Sequence, residues 1–385
     1  MNEKAQSLYK FIILCISTAV FYASVKSGLL WDLSVYDRAV YDFINNDFPY
    51  RTDISLQFVY HPYVLMMLDS LRKVSALKPM LMLLYLLATI FFGKQLFQYV
   101  CLIKQKEKLT TSLSIFWLIV PSIGFGGAGI VAFQTGNMTL FLHFLVLGAF
   151  FAAKKNSTCK FIFLFQCSIL FAAIVKPYYL AYLILLIYLT DYRRFTLLTL
   201  ITVSLAAVIW LSASIFTPNL YEQFVTSLAH QTLGKGDLGY AIFGLLRPFT
   251  GDSISILVHV AVMLLVLMGI IVFIKQEGYD LRSEKIIPLV IAFIIFLNPR
   301  MKEYDFIIAI FFSYLFLFLV NQPVYLKAVC LSWGIATVPL FSAIAIKLGL
   351  MEPIKILTAQ HHFQILGFLV LSVFLMLSLK FTKTS

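Results

Sequence analysis

Apolar runs recur along the whole chain, many of them long enough to cross about 30 Å of hydrocarbon. That pattern constrains the fold more than any single motif. No interval between the runs can hold a soluble domain of ordinary size. The 385 residues are 61% hydrophobic and 12% charged, about half the charged share of a soluble globular protein. The reading is all-α: a polytopic integral membrane protein, a single domain over residues 1–385 with about twelve transmembrane helices. The expected spans lie near 8–30, 79–103, 110–131, 138–153, 161–175, 178–190, 195–216, 253–274, 286–298, 305–320, 326–348 and 364–380.

The net charge of +12 invites a nucleic-acid reading, but its distribution argues against one. With the N-terminus in the cytoplasm, the basic stretches Lys104/Lys106/Lys108, Lys154/Lys155/Lys160, Arg193/Arg194, Lys275/Arg282/Lys285 and Lys380/Lys383 share the cytoplasmic side. That is the positive-inside bias of short loops. The charge reports topology, with both termini cytoplasmic, and not a nucleic-acid partner. Cys15, Cys101, Cys159, Cys167 and Cys330 fall in expected spans or on the cytoplasmic side, away from an oxidising face. No C-x-x-C or Cys/His cluster points to a metal. The N-terminal segment starts basic like a signal peptide. Its long apolar run lacks a small-residue cleavage site, so it reads as an uncleaved first span.

Two long segments are left outside the membrane, 31–77 and 217–252, both on the outer face. The first holds Asp32, Asp37, Asp42, Asp47, Asp53 and Asp69, one third of the 18 acidic residues. Within it Tyr36, Val40, Phe43 and Ile44 recur at helical spacing, with Arg38 and Asp42 as an i,i+4 pair opposite them. This predicts an amphipathic helix along the membrane surface, with Asp37 and Asp42 on its solvated flank. A second helix is expected from Tyr63 to Leu71, after the Tyr60-His61-Pro62 break. Segment 217–252 is bounded by Thr217-Pro218 and Arg247-Pro248 and carries Gly234, Gly236 and Gly239. Part of it at least is expected to be irregular and mobile. No internal repeat is visible, which counts against a transporter built from inverted repeats.

Several spans are short. The run from Phe161 to Val175 is about 22 Å of helix, less than the hydrocarbon thickness. Lys176-Pro177 follows it, and the next apolar run ends at Asp191. Lys176 then lies below the outer surface. Helix breaks at depth are tolerated only where they line a protein cavity or water, so a cavity open to the outside is implied.

Asp32 has two open readings: a general base that takes a proton from an attacking hydroxyl, or a helix-start acid favoured by the positive dipole end. Gln134-Thr135-Gly136-Asn137 ends a glycine-rich bend and opens a helix, where free backbone N–H groups suit a phosphate or a sugar hydroxyl. Plain capping by Asn137 is the alternative. Lys176 at depth needs an anion or a water-filled cavity, or else snorkels to the interface. In Asn298-Pro299-Arg300-Met301-Lys302-Glu303-Tyr304-Asp305, Arg300 can clamp a phosphate bidentately and Lys302 adds a point charge. A compact salt-bridged turn is the rival view. His61 binds substrate, serves as an acid, or shapes the turn before Pro62. His143 and His259 read as packed core residues. His361 and His362 begin a span as interfacial anchors or site contacts, and the sequence does not choose. A basic group at membrane depth and an acid at the outer rim together suit a polyprenyl-phosphate substrate, its tail in the bilayer and its phosphate at Lys176 and Arg300.

Five short stretches then run in order: Asp32-Leu-Ser-Val-Tyr36, Phe58-Val-Tyr-His-Pro62, Gln134 to Asn137, Ala172-Ala-Ile-Val-Lys-Pro177 and Pro299-Arg-Met-Lys-Glu-Tyr-Asp305. Together they resemble the GT-C membrane glycosyltransferases of family 87 (the DUF2029 group, which includes polyprenol-phosphate-mannose-dependent mannosyltransferases). The family patterns are D-x-x-V-Y, F-x-Y-P-P, G-Q-x-N, A-A-x-x-K-P and P-R-x-x-x-Y-D. Here His61 replaces a proline, and the Gln/Gly/Asn order differs.

The resemblance implies inverting transfer of a hexose, mannose in the named members, from a polyprenyl-phosphate donor. The acceptor would be a lipid or glycan hydroxyl on the outer face of a bacterial inner membrane, with Asp32 as the base. Lys176, Arg300, Lys302, Gln134, Asn137, Tyr36, His61, Tyr304 and Asp305 are the expected donor and substrate contacts. No metal and no cofactor beyond the donor is expected. The partners are membrane lipids, the donor and the acceptor. The rival readings are a transporter or flippase of lipid-linked saccharides, and a glycan polymerase or ligase with a diphosphate-linked donor.

Overall fold

The computed structural model describes residues 31–53, 57–106, 135–233, 239, 241–276 and 278–319. All regular structure among them is helical. The expected spans 8–30, 110–131, 326–348 and 364–380 lie outside the described residues, as do Gln134, His361 and His362. Each of the other expected spans falls on a helix. Contacts divide the chain into two compact units, one of residues 22–109 and 133–237, the other of residues 1–21, 110–132 and 238–385.

In the first unit, α1 (Trp31–Ile44) begins with Asp32 in its first turn, where the positive helix end favours an acid. Leu33, Tyr36 and Val40 form its buried stripe. The stripe is wider than the sequence pattern suggests and extends over Val35, Ala39 and Asp42. Asp42 is therefore not on a solvated flank: it is 7% exposed, whereas Ile44 from the expected apolar face is 50% exposed. The chain turns back directly after the helix through Asn46, at φ 58°. There the Asp47 N–H donates to the Asp42 carbonyl at 2.8 Å. Next, α2 (Pro62–Val74) starts with proline in its first turn, whose missing N–H costs nothing there, and His61 caps it. It is a turn longer than the expected Tyr63–Leu71 helix.

A long helix, α3 (Leu77–Lys106), packs on α4 (Met138–Asn156) through stacked rings. Tyr85 meets Phe141 at 3.8 Å, Phe92 meets Phe144 at 4.9 Å, and Tyr99 meets Phe151 at 4.6 Å. The partners advance in the same direction, so the two helices run parallel. Gly148 lets them touch: a Cβ there would stand 2.6 Å from the Phe91 ring and 3.3 Å from the Phe92 Cα. The last turn of α4 carries Lys154 and Lys155, which suit the negative helix end.

Beyond Ser157, α5 (Cys159–Val175) returns along α4, with Phe150 and Phe165 in ring contact. The chain then breaks at Lys176 and continues as a 3-10 helix over Pro177–Tyr188. Runs of this kind longer than 3–4 residues are uncommon, because side chains three apart eclipse. Here that eclipse is used. Tyr179, Tyr182 and Leu185 recur every third residue and are all fully buried, followed by Tyr188. At about 2.0 Å per residue the stretch is also about a third longer than the same residues in α-helix.

The unit closes with α6 (Tyr192–Phe216) and α7 (Pro218–Leu233). Only 11% of the most apolar window of α6 is buried, and Leu197, Leu200, Val208, Leu211 and Ile215 point outward. An apolar helix with so little protein cover is what lipid contact requires. Four of the described helices are long and apolar enough to cross a membrane: Leu77–Ile103, Met138–Asn156, Tyr192–Phe216 and Leu246–Val272. Segment 217–252, expected to be irregular in part, is largely helical where described. Pro218 starts α7 at a position where proline is favoured.

In the second unit, α8 (Ile242–Gln276) contains a break at Gly251, whose φ of 76° and ψ of 176° suit only glycine. The expected span 253–274 begins just after it. A short turn leads into α9 (Ile287–Phe296), nearly all of it buried, and α10 (Glu303–Leu319) packs against it with Phe296 and Phe306 edge to face.

The α3–α4 contact sets a test. Gly148→Leu drives a side chain into Phe91 and the Phe92 backbone and should destabilise the protein by about 1–3 kcal/mol. Thermal unfolding of the detergent-solubilised protein measures it, with Gly93→Leu as the control, since a Cβ at Gly93 meets nothing within 4 Å.

Candidate active site

Asp32 and Tyr36 are one turn apart on α1, so their side chains leave the helix on the same face. Both reach the start of α4. The Asn137 Nδ2 donates to Asp32 Oδ2 at 2.9 Å, and the Met138 N–H donates to the Tyr36 oxygen at 3.2 Å. Asn137 Nδ2 also donates to the Tyr60 hydroxyl at 3.2 Å. The Tyr36 and Tyr60 hydroxyls lie 3.3 Å apart.

Tyr60 is placed from its own side. It sits in an extended segment where Phe58 and Tyr60 alternate to one face, and both rings meet Tyr36 edge on. Tyr50 donates its hydroxyl to the Tyr60 carbonyl at 2.9 Å. Burial, aided by the nearby Asp32 charge, pushes the Tyr36 and Tyr60 phenols well above their ordinary range. Both stay protonated and can donate as well as accept.

Asn137 is also the N-cap of α4. Its Oδ1 accepts from the Thr139 N–H at 2.9 Å, and its own N–H donates to Thr135 Oγ1 at 3.2 Å. The start of this helix was expected to offer free N–H groups to a phosphate. Two of them, on Met138 and Thr139, are instead bonded to Tyr36 and to Asn137.

Lys176 is half-buried and caps α5 in extended conformation, φ −148° and ψ 118°. The break is pinned to the same end of α4. Tyr179 donates to the Thr139 carbonyl at 2.7 Å. The two nitrogens of His143 each lie 2.7 Å from a phenol, Tyr182 at Nδ1 and Tyr178 at Nε2. His143 is thus the packed core residue the sequence suggested. Through its two phenol partners it also holds the 3-10 stretch against α4.

Below this polar layer lies an apolar cavity of about 410 Å³ among α2, α3, α4 and α5. Leu84, Tyr85, Phe91 and Phe141 line its walls. Its lining also includes Met138 and Val175, the chain neighbours of Asn137 and Lys176.

His61 is not part of the Asp32 network. It caps α2 by accepting from the Tyr63 N–H and packs on Trp210 with ring centres 4.6 Å apart. Its Nε2 lies 3.4 Å from the Trp210 carbonyl. Of the readings open to it, shaping the turn before Pro62 fits these contacts. Burial pushes its pKa down, so the ring is neutral near pH 7.

The 298–305 turn belongs to the other unit. Asn298 Oδ1 accepts from the Arg300 N–H at 3.0 Å. Asp305 is fully buried and accepts from the Lys302 N–H at 3.0 Å and from Asn298 Nδ2 at 3.3 Å. An acid at the third helical position reaching back to the cap N–H is the return half of a capping box. Asp305 therefore secures α10 through this oxygen. Arg300, Lys302 and Tyr304 are half-buried. Gly239, at φ 75°, lies against this turn, and a Cβ there would fall 2.8 Å from the Arg300 carbonyl carbon.

Tyr60 is the site residue that sequence reasoning passed over. It stands inside Phe58-Val-Tyr-His-Pro62, where His61 drew the attention. The signal for it was strand-like alternation, which sets Tyr60 with Phe58 and turns His61 away. Among the described residues no three His, Cys, Asp or Glu side chains gather in a way that could hold a metal ion. No family model, curated protein or solved structure matches the chain.

Two outcomes follow from this geometry. Tyr36→Phe leaves the Met138 N–H without its acceptor in a buried place and should cost about 1–3 kcal/mol in thermal unfolding. His61 gives a pH signature. Its folded pKa lies below the unfolded value of about 6.5, so the unfolded state binds the proton first and stability falls as pH drops below that value. His61→Asn keeps a capping side chain and removes the titration. Its melting temperature should vary less between about pH 7 and 5 than the wild type.

Proposed function

We propose that the protein is an integral membrane glycosyltransferase of the GT-C type, resembling family 87, that moves a hexose from a polyprenyl-phosphate donor to a hydroxyl acceptor. The observation that carries this reading is the placement of Asp32 and the Lys176 break at one end of α4, directly above an apolar cavity. An acid, a cation and an apolar slot are the three things such a reaction needs. The slot suits the isoprenoid tail, and Lys176 suits the phosphate at its head.

In the proposed reaction Asp32 removes the proton from the acceptor hydroxyl as its oxygen attacks the anomeric carbon. The bond from that carbon to the phosphate oxygen breaks, and the electron pair leaves with the phosphate. Attack from the opposite face inverts the configuration. Lys176 meets the charge that grows on the leaving phosphate, which then needs no proton to depart. The expectation that Arg300 and Lys302 share the phosphate comes from the sequence alone. So do the twelve-span topology, the cytoplasmic termini and the outer-face site in a bacterial inner membrane.

A purified, reconstituted protein supplied with polyprenyl-phosphate-linked mannose and a saccharide acceptor tests the reading. Asp32→Asn should lower the rate by about 10²–10⁴-fold, and Lys176→Ala by about 10²–10³-fold. Transfer at wild-type rates in Asp32→Asn would rule the mechanism out. Labelled lipid-sugar crossing liposomes with no polyprenyl phosphate released would instead point to a flippase.

A further inference from the structure

We propose that Asn137 is a positioning residue for Asp32: its side-chain amide is locked in one orientation by the helix it caps, and that orientation fixes the carboxylate. The inference rests on the reading of Asp32 as the base and deepens it.

An asparagine amide can flip, exchanging a donor end for an acceptor end. Here two neighbours of fixed polarity oppose the flip. The Thr139 N–H demands an acceptor and meets Oδ1 at 2.9 Å. Asp32 Oδ2 demands a donor and meets Nδ2 at 2.9 Å. Reversal would set an N–H against an N–H and a carbonyl oxygen against a carboxylate. The Tyr60 hydroxyl, 3.2 Å from Nδ2, accepts from the amide as it stands. Asn137 is 6% exposed, so water offers little substitute for any of these partners.

The backbone beneath it is equally constrained. The Thr135 hydroxyl accepts the Asn137 N–H, and Tyr36 accepts the next N–H along, on Met138. Asp32 and Tyr36 are one turn apart on α1, so the same helix that carries the carboxylate also clamps the residue beside the amide. The acid and its donor are thus referenced to a common frame. A donor aimed at a carboxylate favours its charged form, the form a base requires. The two halves of the Asn137 side chain do different work: Oδ1 serves the fold and Nδ2 serves Asp32.

That division makes the roles separable. Asn137→Ser keeps a strong capping oxygen and loses the donor to Asp32. Asn137→Asp keeps the cap and sets a second carboxylate against the first. The full-length protein in nanodiscs is titrated by infrared spectroscopy, following the protonated-carboxyl band that disappears in Asp32→Asn. The midpoint of that band should move to higher pH in Asn137→Ser and further in Asn137→Asp, with both variants folded but less stable than the wild type, Asn137→Asp the more so. Transfer at neutral pH should drop about ten- to hundred-fold in Asn137→Ser, as loss of a hydrogen bond to a charged group predicts, with the acid limb of the rate profile shifted the same way.

A wild-type midpoint and rate profile in both variants would overturn the proposal and leave the glycosyltransferase reading standing. A shifted midpoint in a protein that transfers no sugar would keep the positioning role and remove that reading. A large loss of stability in both variants, with the Asp32 band unmoved, would reduce Asn137 to a helix cap.

Discussion

The start of α4 is where the first unit is held together. In an interior as apolar as this one, a backbone N–H or carbonyl without a partner is expensive, and helix ends always expose some. The first turn of α4 meets this demand with its own cap and with side chains from two other parts of the chain. Tyr36 takes one N–H, Asn137 takes another, and Tyr179 gives a proton to the Thr139 carbonyl. Each of those bonds also fixes the element that supplies it. Helix α1, the Tyr60 segment and the 3-10 stretch all converge on one helix terminus. The polar layer thus satisfies the backbone groups of Met138 and Thr139 and places Asp32 as it does so.

The rest of α4 explains why that terminus can serve as a reference. Of the four described helices long and apolar enough to cross a membrane it is the most enclosed, with 83% of its most apolar window buried. Stacked rings bind it to α3 and Gly148 brings the two backbones close. Helices with a bare apolar exterior, such as α6, can tilt or slide against lipid at small cost. A helix packed on all sides cannot, because interior packing leaves few voids to absorb a shift. Chemistry that depends on angstrom placement is best attached to such an element.

Much of this was legible in the sequence. Periodicity and run length give the helices, the α1 amphipathic pattern and the break at Lys176-Pro177. The resemblance groups Asp32, Tyr36 and Asn137, and the structure sets those three in one network. What failed to show was whatever depended on contacts far along the chain. Asp42 looks solvated by helical spacing, yet it is buried. Asp305 enters through the resemblance as a substrate contact, and its capping of α10 shows only in the fold. Asn137 was read either as a cap or as a contact. Its two ends bond to different partners, so the capping half of that choice holds and the other half turns toward Asp32.

The 3-10 stretch shows how a sequence signal can be present and still be misread. PYYLAYLILLIY scans as a short apolar run, too short for an ordinary α-helical crossing. Its tyrosines at 179, 182 and 188, with Leu185 between, repeat every three residues and match the 3-10 period rather than 3.6. Choosing the tighter helix aligns those side chains on one face, where Thr139 and His143, one turn apart on α4, receive Tyr179 and Tyr182. Lengthening the stretch also extends its reach for the same number of residues. The break at Lys176 is then no flaw between two short helices: it is the point where one period gives way to the other. A lysine there is set by the tyrosine stripe behind it, at the end of α4 where Asn137 faces Asp32.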